Sequence, residues 1–129
     1  MSENAIVADA SAILALLKQE RIDRIEPRRL FGATVSAVNL SEIIERLCAG
    51  GLDASEADEA VAELRLRVAD FNEAQARSAA RLRPQTRRAG LSLGDRACLA
   101  LGLQLGYPVA TADRVWATLD VGVQVILIR

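Results

Sequence analysis

Four acidic residues, far apart in the sequence, stand at positions where a parallel α/β protein places its functional groups. Asp9 and Asp113 each follow a short apolar run that predicts a buried strand, and each precedes a helical pattern. Glu42 and Asp95 lie near the start of two further helical patterns. Each acid has two interpretations, because a carboxylate in such a place either caps a helix N-terminus or belongs to a site.

The chemistry that these acids could do depends on whether they meet. Carboxylates gathered in one cleft repel one another, and burial penalises each charge further. The chain has no histidine and only two cysteines, which excludes Ser-His-Asp and Cys-His catalysis and zinc sites of the four-cysteine or histidine-containing kind. The natural neutraliser is therefore Mg²⁺ or Mn²⁺, since these hard cations prefer oxygen ligands and engage phosphate oxygens. The acids predict metal-dependent phosphoryl transfer.

Small polar side chains accompany the acids along the sequence. They could orient the carboxylates or an attacking water, or they could make only local turn and capping bonds, which is the commoner role for any one of them. Asn39-x-x-Glu42 and Ser92-x-x-Asp95 both have the form of a capping box. The side chains concerned are those of Ser11, Ser36, Asn39, Ser92 and Thr111.

The elements that would position these residues can be read from the alternation of apolar runs and helical patterns. Strands alternating with helices predict one domain over residues 1–129, a three-layer α/β/α sandwich with a central parallel sheet. The carboxyl ends of parallel strands share one edge, so Asp9, Glu42 and Asp113 should gather there, and Asp95 needs only to face the same cleft. Strands are predicted at residues 5–8, 33–36, 67–71, 109–111 and 123–128. Two helices are predicted to begin at residues 10 and 53, and four more to span 37–49, 72–82 (ended by Pro84), 94–105 and 113–119.

Charge is distributed unevenly although the net charge is only -1. Residues 74–94 contain five arginines and no acid, so Arg87 and Arg88 either bind the phosphates of a substrate or belong to a solvated helix face. Arg96 and Arg114 each adjoin one of the four acids and would pair with that acid or with a substrate. The sequence leaves both alternatives open.

The cysteines and apolar segments bear on the cellular compartment. Cys48 and Cys98 both fall within apolar helical patterns, without CxxC spacing, and are predicted to be core thiols. A reducing, cytoplasmic location fits this usage. The N-terminal apolar segment has no basic residues before it and is interrupted by Asp9, and no stretch approaches the ~20 apolar residues of a membrane span.

Four motifs carry a family likeness along nearly the whole chain: VADASA at 7–12, SAVNLSE at 36–42, GLSLGDRACLAL at 90–101 and TADRVW at 111–116. In order and spacing the chain resembles PIN-domain ribonucleases, and specifically the VapC-type toxins of bacterial VapBC toxin-antitoxin modules. The resemblance implies an α/β/α fold and an Mg²⁺- or Mn²⁺-dependent endoribonuclease whose catalytic, metal-binding acids are Asp9, Glu42, Asp95 and Asp113. It also implies a cognate antitoxin that blocks the cleft, an RNA substrate and a homodimer.

A mechanism follows from the resemblance. The metal would be held mainly by Asp9 and Asp95 with help from Asp113, and a water activated there would attack the RNA phosphodiester in line. Glu42 or Asp113 would position or deprotonate that water. Some relatives carry a further acid after the last motif, whereas residues 115–118 are Val-Trp-Ala-Thr here. One metal or two is therefore left open.

Three other functions compete with the ribonuclease interpretation of the sequence. A phosphate-accepting receiver domain would need adjacent acids after the first strand and a late lysine, but the only lysine is Lys18. A non-catalytic module of the PIN fold would keep the helix caps and bind a protein. A DNA-cleaving relative is the third, because a preference for the 2′-hydroxyl cannot be read from these residues.

Overall fold

The computed structural model describes residues 5–129, and the first four residues of the predicted domain lie outside this range. Five parallel strands form one sheet in the order β3-β2-β1-β4-β5, which confirms the predicted parallel architecture. The strands are short: β1 is Val7–Ala8, β2 is Thr34–Ser36, β3 is Arg67–Ala69, β4 is Val109–Thr111 and β5 is Val125–Leu127.

Helices cover both faces of the sheet. Side chains alternate along β1, so Ile6 and Ala8 pack with the layer formed by α1, α2 and α3, whereas Val7 packs with α4 and α6 on the other side. This arrangement confirms the three-layer α/β/α sandwich. The helices are α1 Ala10–Leu17, α2 Ala37–Ala49, α3 Ala54–Ala62, α4 Glu73–Arg81, α5 Arg83–Thr86 and α6 Leu93–Leu105, with 3-10 helices at Pro27–Leu30 and Arg114–Thr118.

The strand order creates a switch point at β1. The chain runs from β1 outward through β2 to β3, and it then returns to place β4 on the opposite side of β1. Val7 consequently pairs with Thr34 on one side and with Val109 on the other. Ligands of open α/β sheets bind outside the carboxyl ends of the strands at such a point. Asp9 directly follows β1, and Asp113 lies two residues after the neighbouring strand β4.

Helix α6 is the central element of one layer, as its apolar sequence predicts. Its residues 97–102 are all buried. It approaches β4 closely at Gly102, where a Cβ atom would lie 2.6 Å from Cγ1 of Val109. The helix ends at Gly106, which takes a left-handed conformation with φ +69°. Close packing on the sheet fixes the N-terminus of α6, and with it Asp95.

Several predicted boundaries are wrong. The helix expected to run through Leu82 ends at Arg81, and Pro84 lies in the first turn of α5. A first-turn proline costs no intrahelical hydrogen bond, so the residue begins a short helix as readily as it ends one. The last strand is three residues long, and the edge strand β3 stops at Ala69. The short helix predicted at 113–119 is present as a 3-10 helix over Arg114–Thr118.

The two cysteines differ in burial. Cys98 lies in the core as predicted, but Cys48 is exposed, and its prediction as a core thiol is wrong. In the last turn of α2, Leu47 supplies the buried contact, and the next residue points about 100° away around the helix. Within residues 5–129, no helix combines the length and apolar character needed to cross a membrane.

Candidate functional site

One pocket at the carboxyl edge of the sheet brings together all four acids singled out in the sequence. Its volume is about 230 Å³. Asp9 enters it after β1, Glu42 from the second turn of α2, Asp95 from the first turn of α6, and Asp113 after β4. The remaining lining residues are Ala10, Ser11, Leu14, Arg46 and Ser92.

Asp9 is the buried member of the four, with only 3% of its surface exposed. Its Oδ1 accepts hydrogen bonds from the backbone N–H of Ala12 at 2.9 Å and from the Ser11 hydroxyl at 2.8 Å. Its Oδ2 accepts a hydrogen bond from the Thr111 hydroxyl at 2.6 Å. Both carboxylate oxygens are therefore fixed in position.

Ser11 and Thr111 also join the two loops that flank the switch point. The Ser11 hydroxyl accepts a hydrogen bond from the N–H of Ala112 at 2.9 Å, and the Thr111 hydroxyl accepts one from the N–H of Asp113 at 3.1 Å. The loop after β1 is thus bonded to the loop after β4. Both hydroxyls orient an acid and hold the loops of the pocket together.

The environment of Asp9 changes its acidity. Burial raises the pKa of the Asp9 carboxyl from 3.8 to about 6, and the negative charge of Asp95 adds to this rise. Hydrogen bonds from Thr111, Ala12 and Ser11 oppose it by stabilising the ionised form. At neutral pH the group is ionised but still costly to bury, so a cation beside it would stabilise the folded chain.

Three of the acids cap helices as well as lining the pocket. Asp9 is the N-cap of α1, and Asp113 caps the following 3-10 helix by accepting a hydrogen bond from the N–H of Val115 at 3.1 Å. Ser92 and Asp95 form the predicted capping box, in which Asp95 Oδ2 accepts from the N–H of Ser92 at 2.9 Å. Capping and lining the pocket are thus compatible, because the cap is what fixes each carboxylate at the pocket edge.

Glu42 is held in a different way, and the predicted Asn39–Glu42 capping box is wrong. The N-cap of α2 is Ser36, whose hydroxyl accepts a hydrogen bond from the N–H of Val38 at 3.2 Å. Because β2 runs into α2 without a loop, the cap falls on the last strand residue, and Asn39 is already helical. Its Nδ2 donates to Glu42 Oε1 at 2.8 Å and to the carbonyl oxygen of Gly94 at 3.0 Å.

The sequence of the chain matches one family over most of its length. Residues 6–122 match the sequence profile of the PIN domain. The chain belongs to the PIN-domain family. No curated protein matches it in sequence.

Solved structures with a similar fold include three toxin or toxin-antitoxin proteins. VapC20 from Mycobacterium tuberculosis, described as a toxin that cleaves the sarcin-ricin loop, has a TM-score of 0.68 and 18% identity, covering 92% of this chain and 98% of that one. VapBC2 from Rickettsia felis, bound to a promoter DNA fragment, has a TM-score of 0.69 and 12% identity, with 96% and 98% covered. DNA-bound VapBC from Salmonella typhimurium has a TM-score of 0.68 and 22% identity, with 96% and 98% covered. At such identities the likeness shows the PIN fold alone.

None of the four acids of this PIN domain is paired with a protein cation within residues 5–129. Arg96 adjoins Asp95, but its Nη1 donates to the carbonyl oxygen of Ala79 at 3.0 Å. Arg87, Arg88 and Arg114 are exposed and do not line the pocket. The described part of the chain also contains no group of three carboxylates close enough to form a ready-made metal cluster. The four acids thus line one pocket without forming such a cluster.

Two residues at the site of this PIN domain were not predicted from the sequence to take part in it. Arg46 lines the pocket four residues after Glu42, a spacing that places both on one helix face. Gly94 is the second residue of α6, and glycine is in general a weaker helix former than alanine. The four-residue spacing from Glu42 could have indicated Arg46, and a glycine in a predicted helix could have indicated Gly94.

Proposed function

We propose that this PIN domain is an endoribonuclease that requires Mg²⁺ or Mn²⁺ and is the toxin of a type II toxin-antitoxin pair. The observation that supports this most is the convergence of Asp9, Glu42, Asp95 and Asp113 on one pocket at the switch point, without a paired protein cation among the described residues. The PIN family is one of nucleases, and the sarcin-ricin loop-cleaving toxin VapC20 shares the fold.

The residues in the pocket fit a hard divalent cation. Every acidic donor is a carboxylate, the buried one carries a raised pKa, and the pocket has room for a cation with water and a phosphate. Asp9, Asp95 and Asp113 would hold the ion, with Glu42 beside them. When bound, such an ion supplies positive charge against the negative charge that develops on the phosphodiester oxygens during hydrolysis.

The protein groups have separate tasks in this proposal. Ser11 and Thr111 keep both oxygens of Asp9 in fixed directions. Glu42 or Asp113, both more exposed than Asp9, orients the attacking water and takes its proton. Asn39 keeps Glu42 in place for that step by donating to Oε1.

Arg46 is the pocket residue that best fits a substrate phosphate. It is exposed, lines the same wall as Glu42 and makes no ion pair in the described part of the chain. A guanidinium group can bind a phosphate through two parallel hydrogen bonds. We therefore propose that Arg46 binds a phosphate of the RNA substrate.

The Arg46→Ala variant should bind RNA more weakly and cleave it at a similar maximal rate. Loss of one charge-assisted contact should raise the KM by roughly tenfold and should reduce the slope of log affinity against log salt by about 0.7. Steady-state kinetics at several salt concentrations measure both values. Arg28→Ala removes an exposed arginine that lies outside both the pocket and the arginine-rich stretch 74–94, and it is the matched control. Equal changes in the two variants would remove Arg46 from substrate binding.

The function itself is tested by incubating the purified chain with single-stranded RNA and with DNA of the same sequence. The proposal predicts cleavage of RNA in Mg²⁺ or Mn²⁺, none in EDTA, and recovery when the metal is added back. Cleavage of DNA alone would identify a DNA-cleaving relative. No cleavage of either substrate would favour a non-catalytic protein-binding module.

The partner proposal rests on the structural neighbours and on two exposed apolar side chains close in sequence to acids of the pocket. The Rickettsia and Salmonella neighbours are VapBC complexes, which supports a cognate antitoxin for this chain. We propose that the chain also forms a homodimer and acts in the cytoplasm. Leu93 and Val115 are exposed at 51% and 37%, and each lies two residues from an acid of the pocket. These apolar side chains would contact an antitoxin segment that covers the acids, so adding the antitoxin should stop cleavage.

A further inference from the structure

Helices α2 and α6 are in contact, and at this contact Gly94 lies against the carboxylate of Glu42. A Cβ atom on Gly94 would lie 2.6 Å from Cδ and 2.7 Å from Oε2 of Glu42, and closer still to Oε1. Gly94 is buried and helical, and its φ lies outside the left-handed range. The backbone at this position would accept any L residue. What requires glycine here is the space that the carboxylate occupies.

Asn39 is hydrogen-bonded to both partners of this contact, Glu42 and Gly94. Its side chain is 1% exposed, and its Nδ2 donates to Glu42 Oε1 at 2.8 Å and to the Gly94 carbonyl oxygen at 3.0 Å. One amide group therefore ties the carboxylate on α2 to the backbone of α6. Together, the Asn39 amide and the bare Cα of Gly94 form a seat for the Glu42 carboxylate.

We propose that Gly94 is a positioning residue, whose missing side chain sets where the Glu42 carboxylate stands in the pocket. This inference rests on the proposed nuclease function, in which Glu42 or Asp113 handles the attacking water. A methyl group at position 94 would collide with the end of a flexible side chain rather than with backbone. The fold can accommodate that collision by moving the carboxylate, so the site changes while the structure survives.

The Gly94→Ala variant should lose turnover without losing stability. Misplacing a reacting group by about 1 Å costs roughly 100-fold, so the kcat for RNA should fall by about 10- to 100-fold while the KM stays within about twofold. Because alanine is the better helix former, the Tm should stay the same or rise by a few degrees.

Gly102→Ala is the matched control in the same helix. A Cβ atom there would meet Val109 Cγ1 at 2.6 Å and the Tyr107 carbonyl oxygen at 3.2 Å, which are core contacts far from the carboxylates. This variant should lower the Tm and keep the kcat of the folded protein. If Gly94→Ala lowers the Tm in the same way, or keeps full kcat, the positioning role is overturned.

A double variant separates positioning from a general disturbance of α6. Glu42→Asp shortens the side chain by one methylene, so its carboxylate no longer fills the space next to position 94. Adding Gly94→Ala to Glu42→Asp should therefore lower the kcat by less than about threefold, well short of its effect alone. Fully additive losses would contradict the proposal.

A measurement that needs no activity distinguishes this inference from the proposed function. The side-chain amide signals of Asn39 in a ¹H–¹⁵N spectrum should shift in Gly94→Ala and stay in place in Gly102→Ala. If the wild-type chain cleaves no RNA and the signals still shift, the nuclease proposal fails and the seat for Glu42 stands. If the signals do not shift, the seat itself is refuted.

Discussion

Replacing Asp9 by Asn is expected to abolish RNA cleavage while the fold is kept. Asn can still cap α1, since its side-chain oxygen can accept the hydrogen bond from the N–H of Ala12. It cannot supply the negative charge that the pocket offers to a cation. We expect kcat to fall by about 10³-fold or more, and the Tm of the metal-free protein to be no lower than that of the wild type. Single-turnover cleavage and thermal unfolding measure the two effects.

Asp70→Asn is the matched control for this experiment. Asp70 directly follows β3 just as Asp9 follows β1, but it is exposed at the edge of the sheet and does not line the pocket. Its substitution should leave cleavage unchanged. Full activity in Asp9→Asn would refute the catalytic assignment of Asp9, and equal losses in both variants would point to a general effect of removing acids.

The contribution of Asp9 to the stability of the metal-free protein is expected to fall as the pH rises from about 4 to 6. The pKa of Asp9 is raised to about 6 in the folded state from 3.8, so in this window the folded chain binds a proton that the unfolded chain has lost. The stabilising contribution of the protonated group is therefore complete below pH 4 and lost above pH 6. Since one pKa unit corresponds to about 1.4 kcal/mol, the loss is roughly 3 kcal/mol.

Urea unfolding in EDTA at a series of pH values measures this effect against Asp9→Asn, which has no proton to release. The difference in unfolding free energy between the variant and the wild type should grow in favour of the variant between pH 4 and 6 and then stay constant. A difference that does not change with pH would show that Asp9 titrates alike in the folded and unfolded chain.

The sequence predicted the residues whose positions follow directly from a strand. Asp9 and Asp113 were placed correctly because a carboxylate that follows a buried parallel strand must emerge at the carboxyl edge of the sheet. The capping box of Asp95 was equally local and was confirmed. These predictions required only the strand-helix alternation and the spacing of the cap residues.

The features that the sequence did not predict depend on how the helices pack against one another, which no local sequence pattern encodes. Asn39 was assigned to a cap of α2, but it bonds to α6, which is 55 residues away in the sequence. Gly94 could be interpreted only after Glu42 was found against it. Cys48 was misplaced because an apolar pattern does not show which side of the last helical turn faces solvent.

Titration of Mn²⁺ into the purified, metal-free chain and its variants, measured by calorimetry, tests directly whether these acids bind a cation. We expect Mn²⁺ to bind the wild type and Asp70→Asn equally, and we expect Asp9→Asn and Asp95→Asn each to weaken binding by about tenfold or more. Equal Mn²⁺ affinity in all four proteins, or no binding to the wild type, would contradict the claim that these acids form a cation site.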